Sequence, residues 1–562
     1  MATSITSDSL IPIEQHFRVS SGPGAGKTHW LIDHIKNVLY TSARLNKTRK
    51  IACITYTNIA VETILARFSS SSGRVEVSTI HSFLYKHIVK PYARFIANDY
   101  DLNVIKMDGH DDLIISNYSF LNELKQKTHQ QRITNNAELI EAIASARWRF
   151  NNTGTLEIKP DYPRQIDNYS IKNETYFEYK KMTWTKGVIH HDDVLFFSYQ
   201  LLIKYPFILN VLRAKFPYFF IDEFQDSNPI QVKILALIGL KETKIGIIGD
   251  KAQSIYGFQG ADASQFESFA LNELVDYKMA DNRRSTNQII DFLNIIRPNF
   301  PQNKYNNING TMPTIIVGGM KAALVKGTEL SLSDVVHTLS YKNIISNSMK
   351  REMNSNIPTD NLLKNLSVID YSNRERHSLI SACIKATEYT IHGRYKEALK
   401  ELERVFKEHK ENAKKEALKH LTLLVSKYDE YCHGSLIDYH SFINTNVKGI
   451  TSLRTGNIQN FYTNHTYQQL AVCVNIIEDN NLHRTIHKSK GDEFDNVMLI
   501  FEKETDINFL LSPNLDTNED HRVFYVAISR AKKRLFISIP TLSDSNKVKL
   551  AQLPITIHEL SE

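Results

Sequence analysis

The sequence predicts an α/β protein in which parallel sheets are covered by helices and mostly helical segments are inserted. Short apolar runs alternate with helical periodicity over residues 1–90, the pattern of strand–helix–strand units. The alternation returns at Asp193 and again at Arg484. A chain of 562 residues exceeds what one hydrophobic core supports, so several domains are expected.

A short strand ends at Val19, and Thr28–Leu39 reads as a helix with Trp30, Leu31, Ile35 and Leu39 as its main apolar residues. Ile51–Thr55 is a buried strand followed by a helix over Thr57–Phe68. Val75–Thr79 is another strand, followed by a helix over His81–Val89. From Pro91 to Gly187 the pattern is polar and irregular, with helices expected at Asp111–Gln130 and Ala137–Arg147. This reads as an inserted, mostly helical subdomain. Strands at Tyr218–Asp222 and Ile245–Gly249 and a helix at Ser285–Asn294 come next. Gly393–Tyr431 is a charged helical stretch with apolar Ala398, Leu399, Leu402 and Val405, and its run Lys396–Lys415 mixes acids and bases as a solvated helix face does. The last α/β segment, Arg484–Pro540, carries strands at Val497–Phe501 and Arg534–Ile539.

Composition sets broad limits. Hydrophobic residues at 42% and charged residues at 23% are ordinary for a globular protein. A formal charge of +7 permits a polyanion partner without demanding one. Cys53, Cys383, Cys432 and Cys473 lie far apart with no CxxC pair. That argues against a zinc site, an iron–sulfur cluster or a disulfide framework, and a cytoplasmic location is expected. The N-terminus lacks the basic and apolar regions of a signal peptide. The most apolar stretch, Val194–Phe220, is broken by Lys204, Arg213 and Lys215, so no membrane partner is expected.

Two motifs carry the chemistry. Ser21-Gly22-Pro23-Gly24-Ala25-Gly26-Lys27-Thr28 lies between a strand and a helix. Glycines let the backbone curl with its N–H groups turned toward phosphates, and the helix that follows adds its positive end. Lys27 would reach the β and γ phosphates and Thr28 would ligate Mg²⁺. Tyr218-Phe219-Phe220-Ile221-Asp222-Glu223-Phe224-Gln225-Asp226 is a buried strand ending in carboxylates. Asp222 would hold Mg²⁺ and Glu223 would polarise the attacking water. Together they point to a nucleoside triphosphate, ATP, bound and hydrolysed. A chance Gly-rich turn and a solvated strand end are the bland alternatives.

Several further segments resemble the ordered motifs of UvrD/Rep-type superfamily 1 helicases. Ile221–Asn228 resembles DEFQD(T/S)N, Gly249–Ala261 resembles GDxxQSIYxFRGA, and Asn282-Arg283-Arg284-Ser285 is similar to N(Y/F)RS. Thr485–Phe494 resembles T(I/L)HxxKGLEF, and Arg522–Ala531 resembles RLFYVAxTRA. Ile54–Asn58 and Ser78–Phe83 look like the DNA-contacting motifs of the first domain. The resemblance implies two RecA-like motor domains with inserted subdomains. The first motor domain is expected at 1–90 and 190–285 with a helical insertion at 91–189. The second is expected at 286–335 and 465–562 with a reduced helical insertion at 336–464.

By the same resemblance Gln253 senses the γ-phosphate, and Arg284 and Arg530 neutralise charge on the transferred phosphoryl. Lys27, Asp222, Glu223, Gln253, Arg284 and Arg530 form the expected catalytic set, and Ser21, Gly22, Gly24, Ala25, Gly26, Lys27 and Thr28 the expected nucleotide cradle. Arg283 stands where the family has the ring that stacks on adenine, and a guanidinium plane can also stack. Gln15 is the candidate for the upstream glutamine that reads adenine, although it stands closer to Lys27 than usual. Gln259 replaces a usual Arg and Asp492 a usual Leu.

Movement along single-stranded DNA needs aromatic faces that bases can slip across and groups that hold the backbone. Tyr56, Tyr256 and Phe258 are the candidate rings, while Phe83 is expected to pack in the core. Thr55, Thr57, Asn58, Thr79, His81 and His487 are candidates for backbone contacts. His190-His191-Asp192-Asp193 reads as the polar start of a helix and not as a metal site.

The segment after Arg530 is expected to be too short for a nuclease domain. The implied function is an ATP-dependent 3′–5′ translocase or helicase acting on single-stranded DNA and DNA junctions or ends. The alternative is a DNA-responsive ATPase subunit of a Gabija-type antiphage complex. There a UvrD-like subunit accompanies an OLD-family nuclease with a TOPRIM domain. A catalytically dead homologue is disfavoured because every residue of the catalytic set is present.

Overall fold

The structure, a computed structural model, describes residues 2–68, 73–107, 114–116, 118–160, 164–166, 168–353, 356–370, 373–406, 412–476 and 481–560. The chain forms two compact units. One comprises Met1–Ser285, Leu293–Ile308 and Asn514–Tyr525; the other comprises Thr286–Phe292, Asn309–Pro513 and Val526–Glu562.

The first unit is built on a seven-stranded sheet. In spatial order its strands are Thr3–Ser4, Leu274–Met279, His16–Ser21, Lys244–Gly249, Tyr218–Ile221, Ile51–Thr55 and Val75–Thr79. Every pairing is parallel. The central strands Ile51–Thr55 and Tyr218–Ile221 are buried along their whole length, as parallel strands covered on both faces must be. The helix after the first loop runs Lys27–Thr41 and buries Trp30, Leu31, Ile32, Ile35, Val38 and Leu39. The helix expected from Thr57 starts at Asn58, with the Thr57 hydroxyl accepting the Ala60 N–H at its head. Leu274–Met279 was not anticipated as a strand, because its polar Asp276 and Lys278 break the apolar run.

The insertion within this unit is less helical than expected. Of the helix expected at Asp111–Gln130 the structure shows Tyr118–Lys127; residues 111–113 and 117 lie outside the described residues. Asn136–Ala144 and Asn173–Trp184 are helices. Arg147–Phe150 and Leu156–Lys159 form an antiparallel hairpin, and Gln165–Ile166 pairs with Tyr169–Ser170. The helix His191–Lys204 anchors the insertion to the sheet. Its Asp193 is buried and accepts both the Trp148 and Trp184 indole N–H groups, at 3.0 and 3.1 Å, and pairs with Lys180 at 2.8 Å. His190 occupies the cap position, its N–H donating to Asp193 at 2.9 Å.

The second unit holds a six-stranded sheet, again entirely parallel. Its order is His483–Thr485, Val336–Ser340, Phe494–Ile500, Ala531–Ile539, Thr314–Val317 and Thr556–Glu559. Val336–Ser340 is therefore a sheet strand, although the expected boundary put residue 336 in the helical insertion. The separate helical core begins at Leu362 and runs to Ile476. The charged helical stretch expected over Gly393–Tyr431 comprises the helices Tyr395–Val405, Ala413–Ser426 and Tyr428–Tyr431, and residues 407–411 lie outside the described residues.

The four cysteines are buried and unbridged. Among the described residues no single helix is long and apolar enough to cross a membrane. The bent pair His191–Lys204 and Phe207–Lys215 meets the composition only together, and most of its apolar residues lie in the core, with Ile203, Phe207 and Val211 exposed.

His34 sits in the core of the first unit. Its ring stacks on Trp30 at 5.1 Å and meets Phe17 and Phe220 edge-on. Neither ring nitrogen meets a hydrogen-bond partner among the described residues. Burial lowers its pKa to about 4. The neutral ring is favoured in the fold and the imidazolium in the unfolded chain. Stability from this group is therefore complete above the ordinary value near 6.5 and lost as pH falls toward 4. The shift corresponds to about 3 kcal/mol. Urea titrations from pH 7 to pH 4 should show a steeper loss of stability for the natural chain than for His34→Leu; parallel curves would refute the assignment.

Candidate functional site

The parallel sheet of the first unit delivers several loops to one edge. His16–Ser21 ends there and opens into the glycine-rich loop. Ser21 is buried with its hydroxyl directed at the Gly249 carbonyl, 3.4 Å away. The Gly22 N–H bonds the Met279 carbonyl at 3.1 Å, and Gly26, with φ 80°, caps the helix Lys27–Thr41. Gly24 has φ +73°, and a Cβ there would lie 2.7 Å from Asn282 Oδ1 and 2.8 Å from Arg284 Cβ. Only glycine fits that close approach. The loop is also braced by Gln302, whose amide donates to the Pro23 carbonyl at 2.7 Å.

Asp222 and Glu223 follow Tyr218–Ile221 at the same edge. The Asp222 N–H bonds the Ile54 carbonyl at 2.8 Å, extending the ladder by one residue. Its carboxylate accepts the Thr28 hydroxyl at 3.2 Å and the Glu223 N–H at 3.0 Å. Lys27 Nζ lies 3.7 Å from Glu223 Oε1. Burial and the adjacent Glu223 carboxylate push the Asp222 pKa up to about 6, against the pull of Lys27. A threonine hydroxyl beside a buried carboxylate whose charge is costly is a hard-oxygen donor set that a divalent cation suits. Glu223 is in the left-handed region at φ 55°, a strained conformation for a non-glycine residue that clusters at functional sites.

Gln253 follows the neighbouring strand Lys244–Gly249. Its amide nitrogen donates to Asp250 Oδ2 at 2.7 Å, while the Asp250 N–H reaches Gln225 Oε1 at 3.0 Å. Gln225 Nε2 in turn donates to Glu223. A buried chain of hydrogen bonds thus joins Glu223 to Gln253.

Arg284 packs on Gly24, with its N–H on Asn282 Oδ1 at 2.9 Å. Arg283 is stacked over Tyr305 at 3.8 Å and paired with Asp8. Sequence reasoning missed Asp8 and Tyr305, and also Ser7, whose Cβ lies 3.0 Å from where a Cβ on Gly26 would be. The N-terminal segment that carries Ser7 and Asp8 is held by Thr3–Ser4, which pairs with Tyr277–Lys278. The structure does not bring Gln15 to the loop. It precedes the first residue of His16–Ser21, with its amide on the Tyr277 hydroxyl at 2.6 Å. Six strand residues, about 20 Å, separate it from the glycines. In the second unit Arg530 is buried, donating to the Val526 carbonyl at 3.1 Å and to Ser529 Oγ at 3.1 Å.

Among the candidate nucleic-acid contacts, Tyr56 and Tyr256 stack on each other at 4.7 Å and 18°, with Phe258 6.0 Å from Tyr256. Phe258 is 64% exposed. Thr57 and Asn58 are exposed at the head of their helix, whereas Thr55 is buried. Thr79 caps the helix Ile80–Leu84 through Ser82. Burial and His191 lower the His81 pKa to about 4, so its ring is neutral at pH 7. His487 lies in the second unit, edge-on to Tyr341 at 6.0 Å. Phe83 is core, packed on Phe216 and Phe219.

A glycine-rich loop between a strand and a helix of a parallel sheet, with strand-end acids beside it, defines the P-loop class of nucleotide-binding proteins. Within that class, residues 3–272 match the UvrD/REP helicase N-terminal domain and residues 484–538 the UvrD-like helicase C-terminal domain. The chain belongs to the UvrD/REP helicase family. It is 25% identical over 371 residues to Gabija protein GajB of Bacillus cereus (strain HuB5-5), covering 58% of this chain and 52% of that one. It is 24% identical over 447 residues to DNA helicase II of Salmonella typhimurium (77% and 54%). It is 26% identical over 296 residues to ATP-dependent DNA helicase PcrA of Leuconostoc citreum (50% and 36%). The chain thus spans between about a third and about half of the length of these curated relatives.

The tight fit around Gly24 makes a direct prediction. Gly24→Ala should lower the stability of the first unit by about 1–3 kcal/mol, the cost of a forced left-handed alanine with a close contact. Urea unfolding followed by circular dichroism measures this, and an unchanged midpoint would show that the loop relaxes.

Proposed function

We propose that this chain is an ATP-driven translocase or helicase that moves 3′ to 5′ on single-stranded DNA. What supports the reading is one arrangement: Lys27, Thr28, Asp222, Glu223 and Gln253 gather at the sheet edge that also carries the Tyr56–Tyr256 stack. Residues 1–90 with 190–285 serve as one motor domain, with 91–189 as its insertion. The six-stranded sheet of the second unit, Val336–Ser340 included, serves the other, with the helical core Leu362–Ile476 as its insertion.

Lys27 leaves Glu223 to hold phosphate oxygens, and the loop N–H groups of Gly24, Gly26, Lys27 and Thr28 orient them. Thr28 and Asp222 would hold Mg²⁺, which when bound neutralises phosphate charge. Glu223 then polarises the attacking water and takes its proton. Gln253 donates to the terminal phosphate, and Arg284 and Arg530 neutralise charge on the transferred group. Arg283, backed by Tyr305, presents a flat cation to the base. Tyr56, Tyr256 and Phe258 offer ring faces to DNA bases, and Thr57, Asn58, Thr79, His81 and His487 polar contacts to its backbone.

A second reading is favoured by the likeness to Gabija protein GajB. In it the chain is a DNA-responsive ATPase within an antiphage complex, controlling an OLD-family TOPRIM nuclease at DNA ends. It unwinds little alone and co-purifies with a nuclease encoded beside it.

ATP turnover with and without single-stranded DNA tests the shared core of both readings, and 3′- against 5′-tailed duplexes separate them. Lys27→Ala should cut turnover by more than about 100-fold, as loss of a preorganised charge contact does. Turnover surviving in that variant sinks the site. Tyr256→Ala should weaken binding of an oligo-dT strand by about 1–3 kcal/mol, read by fluorescence anisotropy. Unaltered affinity would mean that the Tyr56–Tyr256 pair is only packing.

A further inference from the structure

Gln253 is held by more than its own loop. Asp250, fully buried, takes the Gln253 amide on Oδ2 at 2.7 Å and the Ala252 N–H on Oδ1 at 3.1 Å. Arg297 Nη1 lies 2.8 Å from Asp250 Oδ1. Arg297 is the first residue past the helix Asn287–Ile296, and its N–H bonds the Leu293 carbonyl at 2.9 Å. Its guanidinium lies over Phe300 at 4.5 Å and near the Tyr525 ring at 5.8 Å. None of the sequence motifs contains it. A buried arginine packed on Phe300, with one guanidinium nitrogen 2.8 Å from a single carboxylate, is placed to hold that carboxylate.

We infer that Arg297 is a positioning residue for Gln253, acting through Asp250, and that it sets the preference of the site for a triphosphate over a diphosphate. The inference rests on the proposed function, in which Gln253 meets the terminal phosphate.

The physical case is one of orientation. A primary amide can present either its oxygen or its NH₂ to a neighbour, and rotation by half a turn exchanges them. A carboxylate only accepts, so it selects the NH₂ side. One amide hydrogen goes to Asp250, and the other is directed by the planar geometry of the group. Arg297 fixes the carboxylate that makes this selection. Removing it leaves Asp250 buried opposite no cation, a costly state that drives rearrangement of whatever it touches. Gln253 is among the groups it touches.

The test uses the full chain and two readouts. Equilibrium titration with a fluorescent non-hydrolysable ATP analogue and with fluorescent ADP gives the triphosphate preference. Steady-state ATPase at saturating single-stranded DNA gives kcat and KM. Arg297→Met should lose about ten-fold of the preference, close to the loss in Gln253→Ala, with kcat falling more than KM changes. Contacts in one network couple by this order of magnitude. In the Gln253→Ala background Arg297→Met should cost nothing further. A natural preference in Arg297→Met, or losses that multiply in the double variant, overturns the inference. Should Arg297→Met fail to fold, Arg297→Lys keeps the charge and carries the same cycle. A loss of about three-fold that vanishes in the Gln253→Ala background supports the inference, and no loss, or one that persists there, overturns it. Absence of ATP binding and turnover in the natural chain defeats the functional reading and this inference together. A natural chain that turns over with an indifferent Arg297 defeats the inference alone.

Discussion

Parallel register is the constraint on which the candidate site depends. Ser20 lies level with Gly249, Ile247 with Ile221, and Ile221 with Ile54. Because every strand runs the same way, every strand end of this kind falls at one edge, and the loops leaving that edge meet. The Asp222 N–H on the Ile54 carbonyl carries the ladder one residue beyond the strand. That single bond fixes a carboxylate over the head of the helix Lys27–Thr41, within reach of Thr28. A slip of one residue would turn the side chains of Tyr218–Ile221 to the opposite faces and take Asp222 away from Thr28. The site is therefore a consequence of register before it is a consequence of any one motif.

Two buried aspartates of the first unit show how surroundings separate structure from chemistry. Burial alone would raise the pKa of Asp193, but Lys180 at 2.8 Å and the His190 hydrogen bond hold it well below the usual carboxylate range. Two indole N–H groups complete its shell. It is a saturated anion, and its role is to tie the insertion to the helix His191–Lys204. Asp222 is as deeply buried but stands beside a second carboxylate, and the nearest cation, Lys27, leans on Glu223 instead. Its charge is under-compensated by the protein. A group held in that condition marks a place where charge is meant to arrive.

What the sequence made legible was local. Ile51–Thr55 and Val75–Thr79 were readable because their β-branched and apolar runs are bounded by turns and helix starts. The glycine loop and the acids after Ile221 were readable because their chemistry is compressed into a few consecutive residues. Leu274–Met279 was obscured by alternating polar residues, and the hairpin Arg147–Lys159 by a search for helical periodicity in an irregular segment, although Asn151 to Gly154 spell a turn. Gln15 is the nearby glutamine upstream of the loop, although closer to Lys27 than usual, but a straight strand carries it to the far end of the sheet. Asp8, Tyr305 and Arg297 act across separations of tens to hundreds of residues, where neither spacing nor composition gives a signal.

The segment from Gly249 to Ala261 shows how the two halves of the proposed chemistry are joined. Gln253 and Tyr256 are three residues apart, so one can shift little without the other unless the backbone between them gives. It is pinned on several sides. Ser254 Oγ donates to the Gln225 carbonyl at 2.9 Å, Arg522 Nε donates to the Ser254 carbonyl at 2.8 Å, and the Gly257 N–H donates to Glu519 at 2.9 Å. Gln225 is the same residue that links Glu223 to Asp250. A displacement at the phosphate end therefore strains bonds that also hold the ring end, and burial makes each broken bond costly. Under the proposed function this short, over-determined segment is a rigid lever and not a flexible linker, and its stiffness comes from side chains outside the motif that names it.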